Sequence, residues 1–223
     1  MGRLMRVVYL HGFASSPASR KARFFGEKFA ARGVPFLAPN LDQGNFPELT
    51  ITGEIQVVQA LLRESSEPAT LIGSSLGGYV ASLIAARQPG AVERLILLAP
   101  AFRLYQRWCE QLPEGALARW RNEKQMMVYH YGDRQERPIH YEFLHDAEQY
   151  EAFPDVRQPT LVLHGIEDSV VPVSYSEEFV AARPEARLVK LKSGHELTDV
   201  FDDMWRETED FLFEWPRINA DER

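Results

Sequence analysis

The chain has 223 residues, 45% of them hydrophobic, which is enough for one domain with a full core. Its formal charge of -7 argues against a nucleic-acid partner, because an acidic domain repels phosphate backbones. The single cysteine, Cys109, excludes a disulfide framework, no stretch is long enough to span a bilayer, and the apolar run after Met1 is too short for a secretory signal, so the cytoplasm is the expected location.

Residues 6–10 read as a strand. Residues 19–32 read as a helix, with Phe24, Phe25, Lys28 and Phe29 near helical spacing and Gly33 as its stop. The run Arg20-Lys21-Ala22-Arg23 reads as the exposed side of that helix. A short second strand is expected at 34–38, closed by Pro39. A helix follows at 50–63, carrying Ile51, Ile55, Val58 and Leu62 along one face. Residues 69–73 form a third strand, 76–87 a helix with Val80, Leu83 and Ile84 on its core side, and 92–99 a fourth strand. That fourth strand is apolar almost throughout, as a strand buried on both faces should be.

Residues 101–158 break the rhythm. They offer no convincing strand, only the aromatic-rich segments 104–110 and 116–129 and a polar stretch with Gly132 and Pro138. The expectation is a helical insertion. A fifth strand at 160–164, a helix at 173–182, a sixth strand at 187–191 and a last helix at 197–215, stopped by Pro216, complete the chain. Strands alternating with crossover-length helices imply an α/β fold with a mostly parallel sheet and helices on both faces.

The strongest chemical signal is Gly73-Ser74-Ser75-Leu76-Gly77-Gly78, a G-x-S-x-G match with Ser75 at its centre. It falls between an expected strand and an expected helix. There a sharp turn needs small residues on either side, and the helix N-terminus favours a developing negative charge. Ser74 has no glycine two residues before it and is rejected as nucleophile. No G-K-[ST] follows, which rules out a phosphate-binding Walker loop. A serine nucleophile needs a base and an acid to orient it. Downstream, Asp168 and Glu167 follow the fifth strand and His195 follows the sixth. All lie just beyond carboxyl ends of parallel strands, the edge where such sheets bind ligands. Leu76 and Phe13 are the expected backbone N–H donors for an oxyanion. His11 and His164 each precede a glycine at a strand end and are expected to orient loops. His130, His140 and His145 lack metal-ligand spacing, so no metal is expected.

The segments Tyr9-Leu10-His11-Gly12-Phe13-Ala14-Ser15-Ser16-Pro17 and Gly73-Ser74-Ser75-Leu76-Gly77-Gly78-Tyr79 resemble the α/β-hydrolase superfamily, and within it small bacterial esterases of the YqiA type. His164 to Pro172 is similar to the H-G-x-x-D-x-x-V-P signature that carries the acid in many members, which favours Asp168 over Glu167. Ser193-Gly194-His195 is similar to the closing histidine segment. The resemblance implies a single domain over 1–223, a six-stranded sheet in the order 2-1-3-4-5-6, and residues 101–158 as a helical cap. It implies a serine hydrolase acting on a small-molecule acyl substrate, an ester or thioester, without cofactor. Ser75, Asp168 and His195 would form the triad, with Phe13 and Leu76 at the oxyanion. Amidase, peptidase or lactonase chemistry, a non-catalytic ligand-binding role, and C–C hydrolase or cofactor-free peroxidase chemistry are the alternatives on the same fold. The cap aromatics Phe102, Tyr105, Trp108, Trp120, Tyr129 and Tyr131 are candidates for the pocket wall. Arg103 and Arg107 are candidates for an anionic substrate group, with solvation at the surface as the favoured role.

Overall fold

The computed structural model describes residues 5–214. Six parallel strands form the central sheet: β1 (Val7–Leu10), β2 (Phe36–Leu37), β3 (Ala69–Ser74), β4 (Val92–Leu98) and, beyond the insertion, β7 (Thr160–Gly165) and β8 (Ala186–Leu191). Their order is β2-β1-β3-β4-β7-β8, which is the expected 2-1-3-4-5-6 once the insertion is set aside. The register pairs Leu10 with Gly73, Gly73 with Leu97, Leu98 with Leu163 and Gly165 with Leu191. The strands therefore end nearly level, and the loops that follow them share one edge.

Side chains alternate across a strand, so each strand feeds two cores. Val7 and Tyr9 face one side, with Ile72, Ile96, Leu161 and Leu163. They pack against helices α1 (Arg20–Ala30) and α8 (Phe201–Glu209) through Phe25, Phe29, Met204 and Trp205. Val8 and Leu10 face the other side, with Leu71, Leu95, Leu97 and Val162. They meet helices α2 (Ile51–Arg63), α3 (Leu76–Arg87) and α7 (Val173–Ala181). Helix α1 starts where Ser19 Oγ accepts the Ala22 N–H at 3.2 Å, and the chain turns after it through Gly33 at φ 66°. Helix α2 is capped in the same way by Thr50, whose hydroxyl accepts the Gly53 N–H at 3.0 Å.

The insertion differs from expectation. It holds helices α4 (Leu104–Gln111), α5 (Ala116–Glu123) and α6 (Glu142–Ala147), but also an antiparallel hairpin of β5 (Gln125–His130) and β6 (Gln135–His140). Only two strands pair, so both are edges, and Pro138 is tolerated opposite Met127. Along β5, Met126, Val128 and His130 are turned inward while Gln125, Met127 and Tyr129 are exposed. That alternation is the strand signal, though only Val128 and Tyr129 among these residues strongly favour a strand. The insertion is fastened to the rest by Asp146. Its carboxylate accepts from Thr52 N at 2.8 Å and Thr52 Oγ1 at 2.6 Å, at the start of α2. The last helix is also shorter than expected: α8 ends at Glu209 and one π-helical stretch, Asp210–Glu214, follows. Its expected end at Trp215 and Pro216 lies outside the described residues. The second strand shrinks from the expected 34–38 to Phe36–Leu37.

Candidate active site

Ser75 sits at the turn from β3 into α3 with φ 51° and ψ −113°, a conformation that is strained for any L-residue. The flanking glycines make that turn sterically possible. A Cβ on Gly73 would be driven into the backbone of Gly77 and Gly78, and one on Gly77 into the carbonyls of Leu10 and His11. The Ser75 N–H donates to Leu98 O at 2.9 Å, and Ser75 O accepts from Gly78, Tyr79 and Ala101 N–H groups. The turn is thus tied to β4 as well as to its own helix. Ser74, the rejected neighbour, is buried.

His195 Nε2 lies 3.0 Å from Ser75 Oγ, and its Nδ1 lies 2.7 Å from Asp168 Oδ2. A carboxylate accepts only, so Nδ1 carries the proton and Nε2 offers its lone pair to the serine hydroxyl. The Asp168 side chain is fully shielded from solvent. Its Oδ1 accepts from Val170 and Val171 N–H groups, each at 2.8 Å. Burial pushes this carboxyl upward, but hydrogen bonds from His164, His195 and the Val171 N–H outweigh it and hold Asp168 well below the usual carboxylate range. Glu167 points away and is exposed; its N–H donates to Ser193 O at 3.0 Å and ties the acid's loop to the histidine's.

Three supporting groups had no role beyond loop or surface in the sequence. His164, fully buried, donates from Nε2 to Asp168 Oδ2 (3.1 Å) and to Val171 O (2.9 Å), while its Nδ1 accepts from Ser176 Oγ at 2.7 Å. Lys21 is buried instead of exposed, and its Nζ donates to Glu196 O at 2.8 Å, next to His195. Its place on the Lys21–Phe25–Phe29 ridge of α1 is the sequence signal for that burial. Asp199 Oδ1 accepts from Ser193 Oγ at 2.5 Å and steadies the same loop from its far side.

Ser75, His195 and Lys21 border a cavity of about 770 Å³. Gly12, Phe13, Ser75, Leu76 and His195 lie on one side, and the insertion supplies Leu104, Trp108, Leu112 and Phe143 on the other. Leu76 is the first residue of α3, where an N–H has no intrahelical partner, and among the described residues neither it nor the Phe13 N–H is taken by a loop carbonyl. Both remain available as donors. His11 holds that loop: its Nδ1 donates to Gly12 O at 3.0 Å and its Nε2 accepts from Leu41 N at 3.3 Å. The loop is also bound to the insertion, since Tyr131 N and Gly132 N both donate to Ala14 O, at 2.7 and 3.4 Å. Of the candidate aromatics, Trp108 and Tyr131 line the cavity; Phe102 and Trp120 are fully buried packing groups, and Tyr105 and Tyr129 lie outside it. Arg103 stays near the surface beside Tyr175 and Glu110, but Arg107 is buried in the cavity wall. Among the described residues, no group of three or more His, Cys, Asp or Glu side chains is arranged to hold a metal ion.

A family model described as "Uncharacterised protein family (UPF0227)" matches residues 6–212. The chain belongs to that family. Its fold is that of the α/β-hydrolases. The mouse alpha/beta hydrolase domain-containing protein 10 aligns with a TM-score of 0.82 at 22% identity, covering 97% of this chain and 92% of that one. Est1E from Butyrivibrio proteoclasticus, with ferulic acid bound, aligns with a TM-score of 0.78 at 19% identity, covering 94% and 88%. In sequence, the pimeloyl-[acyl-carrier protein] methyl ester esterase of Aromatoleum aromaticum is 27% identical over 180 residues, 61% of this chain and 70% of that protein. Among the described residues of the UPF0227 chain, no helix is long and apolar enough to cross a membrane.

Proposed function

We propose that this protein is a serine hydrolase that cleaves a carboxylic ester or thioester through an acyl-enzyme. The observation that carries this reading is the unbroken hydrogen-bonded line Ser75 Oγ, His195, Asp168 Oδ2 at the wall of a cavity lined by both apolar and cationic side chains. The esterase relative from Aromatoleum aromaticum supports it.

In this mechanism Ser75 Oγ attacks the carbonyl carbon as its proton passes to His195 Nε2. The Phe13 and Leu76 N–H groups stabilise the tetrahedral oxyanion. Asp168 keeps the imidazole in the productive tautomer and stabilises its charged form. The carbon–oxygen or carbon–sulfur bond to the leaving group breaks, and that group takes the proton from His195. Water then gives a proton to His195 and attacks the acyl carbon; the acid departs and the proton returns to Ser75. We read the chain as one domain, with residues 101–158 as a cap over a small-molecule acyl substrate, working without cofactor. The lone Cys109, free here, fits a reducing cytoplasm.

The test is labelling with a fluorophosphonate, read by intact-protein mass spectrometry beside Ser75→Ala, followed by a short-chain acyl ester assay. One adduct on the wild type, none on the variant, and ester turnover that vanishes with Ser75 are expected. An unlabelled, folded wild type would overturn the assignment in favour of a ligand-binding role.

A further inference from the structure

Arg107 sits on α4 in line with Leu104, Trp108 and Gln111, the helical face that lines the cavity. It is only 8% exposed, yet no carboxylate pairs with it among the described residues. Its Nη1 reaches Gln111 Oε1 and Val170 O, both at 3.3 Å, beyond the usual range for an N–H···O bond. Its Nε is buried with no partner at all. Arg183 also has an unpartnered buried Nε, but its terminal nitrogens donate to two carbonyls at 2.8 and 2.6 Å, and Arg94 donates to two at 2.9 and 2.8 Å, all shorter than the Arg107 contacts. A guanidinium has five N–H donors and stays charged; the Asp168 charge acts on it through space but bonds none of these donors, so they remain open to an anion that would complete the site.

The charge lining the cavity points the same way. Although the chain carries -7 overall, the cavity is lined by Arg20, Lys21, Arg23, Arg107 and Arg134 against the single carboxylate Glu196. Lys21 answers Glu196 at 3.9 Å. Arg20, Arg23 and Arg134 have no ion-pair partner among the described residues. Four cations without an ion pair facing one cavity attract anions there.

We infer that the substrate carries an anionic group, a carboxylate or phosphate, which docks on the Arg107 guanidinium while the ester carbonyl meets Ser75. This substrate assignment rests on the hydrolase reading, but its test does not require turnover. Three probes are offered to Ser75→Ala protein and followed by calorimetry. They are phenyl hexanoate, monophenyl adipate (the charge at the end of the acyl chain) and 4-carboxyphenyl hexanoate (the charge on the leaving group). At least one charged probe should bind roughly tenfold or more tighter than the neutral one, as a charge-assisted bond allows. The preferred probe says on which side of the ester the anion lies.

Adding Arg107→Met should erase that preference. Arg107→Lys, which keeps the charge but loses the planar fork, should leave part of it and serves if the methionine variant does not fold. Equal binding of all three probes, or a preference that survives loss of Arg107, would overturn the inference. Absence of fluorophosphonate labelling of the wild type would instead count against the hydrolase reading and leave the binding comparison intact.

Discussion

His164 and His195 converge on one atom: Asp168 Oδ2 accepts the Nε2–H of the first at 3.1 Å and the Nδ1–H of the second at 2.7 Å. The carboxylate is therefore held by an imidazole that never meets the cavity. Replacing His164 by Leu removes one charge-assisted bond and leaves Ser176 Oγ without its acceptor. Losing a bond to a charged group costs about 1.5–3 kcal/mol, so kcat/KM for an acyl ester should fall by roughly ten- to a hundredfold. Activity unchanged in His164→Leu would show that Val170 and Val171 N–H groups hold Asp168 unaided.

The same carboxylate makes a prediction about acid. Its folded pKa lies below its unfolded one, so the unfolded chain takes up the proton first and stability falls with pH. The stabilisation is fully present above the ordinary carboxylate range, near pH 4, and is lost as pH falls below it. Asp168→Asn lacks this dependence. Urea midpoints of the two proteins should differ most at pH 6–7 and converge on acidification.

Glu54 behaves in the opposite sense. It is completely buried, its Oε2 has no partner, and burial, helped by the nearby Asp42 charge, pushes its carboxyl up to about 8. Between about pH 4 and pH 8 the folded state keeps a proton that the unfolded state has released, so stability falls as pH rises through that window. Glu54→Gln, neutral at every pH, should be more stable than wild type at pH 8 and lose that advantage by pH 5. A constant difference between the two across that range would mean that Glu54 is ionised in the fold.

Gly77→Ala should fail as a fold. Its new Cβ meets the carbonyls of Leu10 and His11, both backbone, which cannot swing aside. A loss of about 3 kcal/mol or more is expected, at the high end for overpacking. Denaturant midpoints and expression level read this directly.

Strain at Ser75 can be measured with two variants that lack the hydroxyl. Ser75→Ala keeps a Cβ at φ 51° and Ser75→Gly does not. The strained conformation costs on the order of 1–3 kcal/mol, and glycine gives back about 0.5–1 kcal/mol in unfolded-chain entropy. Ser75→Gly should therefore melt a few degrees above Ser75→Ala. The reverse order would mean that the turn is not strained.

The sheet order was readable because each parallel strand is a short apolar run followed by a crossover helix, and the right-handed crossover leaves few topologies. Ser75 stood out because its turn demands small residues at 73 and 77. The hairpin was hidden because its strands are exposed edges, so Gln, Met, His and Pro can stand where a central strand would need Val or Ile. Arg107 and Lys21 are charged side chains that the fold nevertheless buries. Their spacing carries the signal: Arg107 falls in step with Leu104, Trp108 and Gln111, and Lys21 with Phe25 and Phe29. His164 could not be told from a loop anchor, because its role depends on Asp168 curling back four residues later.

Ala14 O, which receives both Tyr131 and Gly132, is one residue from the Phe13 N–H. The hairpin tip and the loop that carries the Phe13 N–H are thus spliced like two planks by a shared peg. A molecule that wedges the tip outward drags that N–H with it, so under the proposed mechanism crowding at the entrance would disturb the alignment of the reacting carbonyl. Selectivity at this rim would show up in turnover rather than in occupancy.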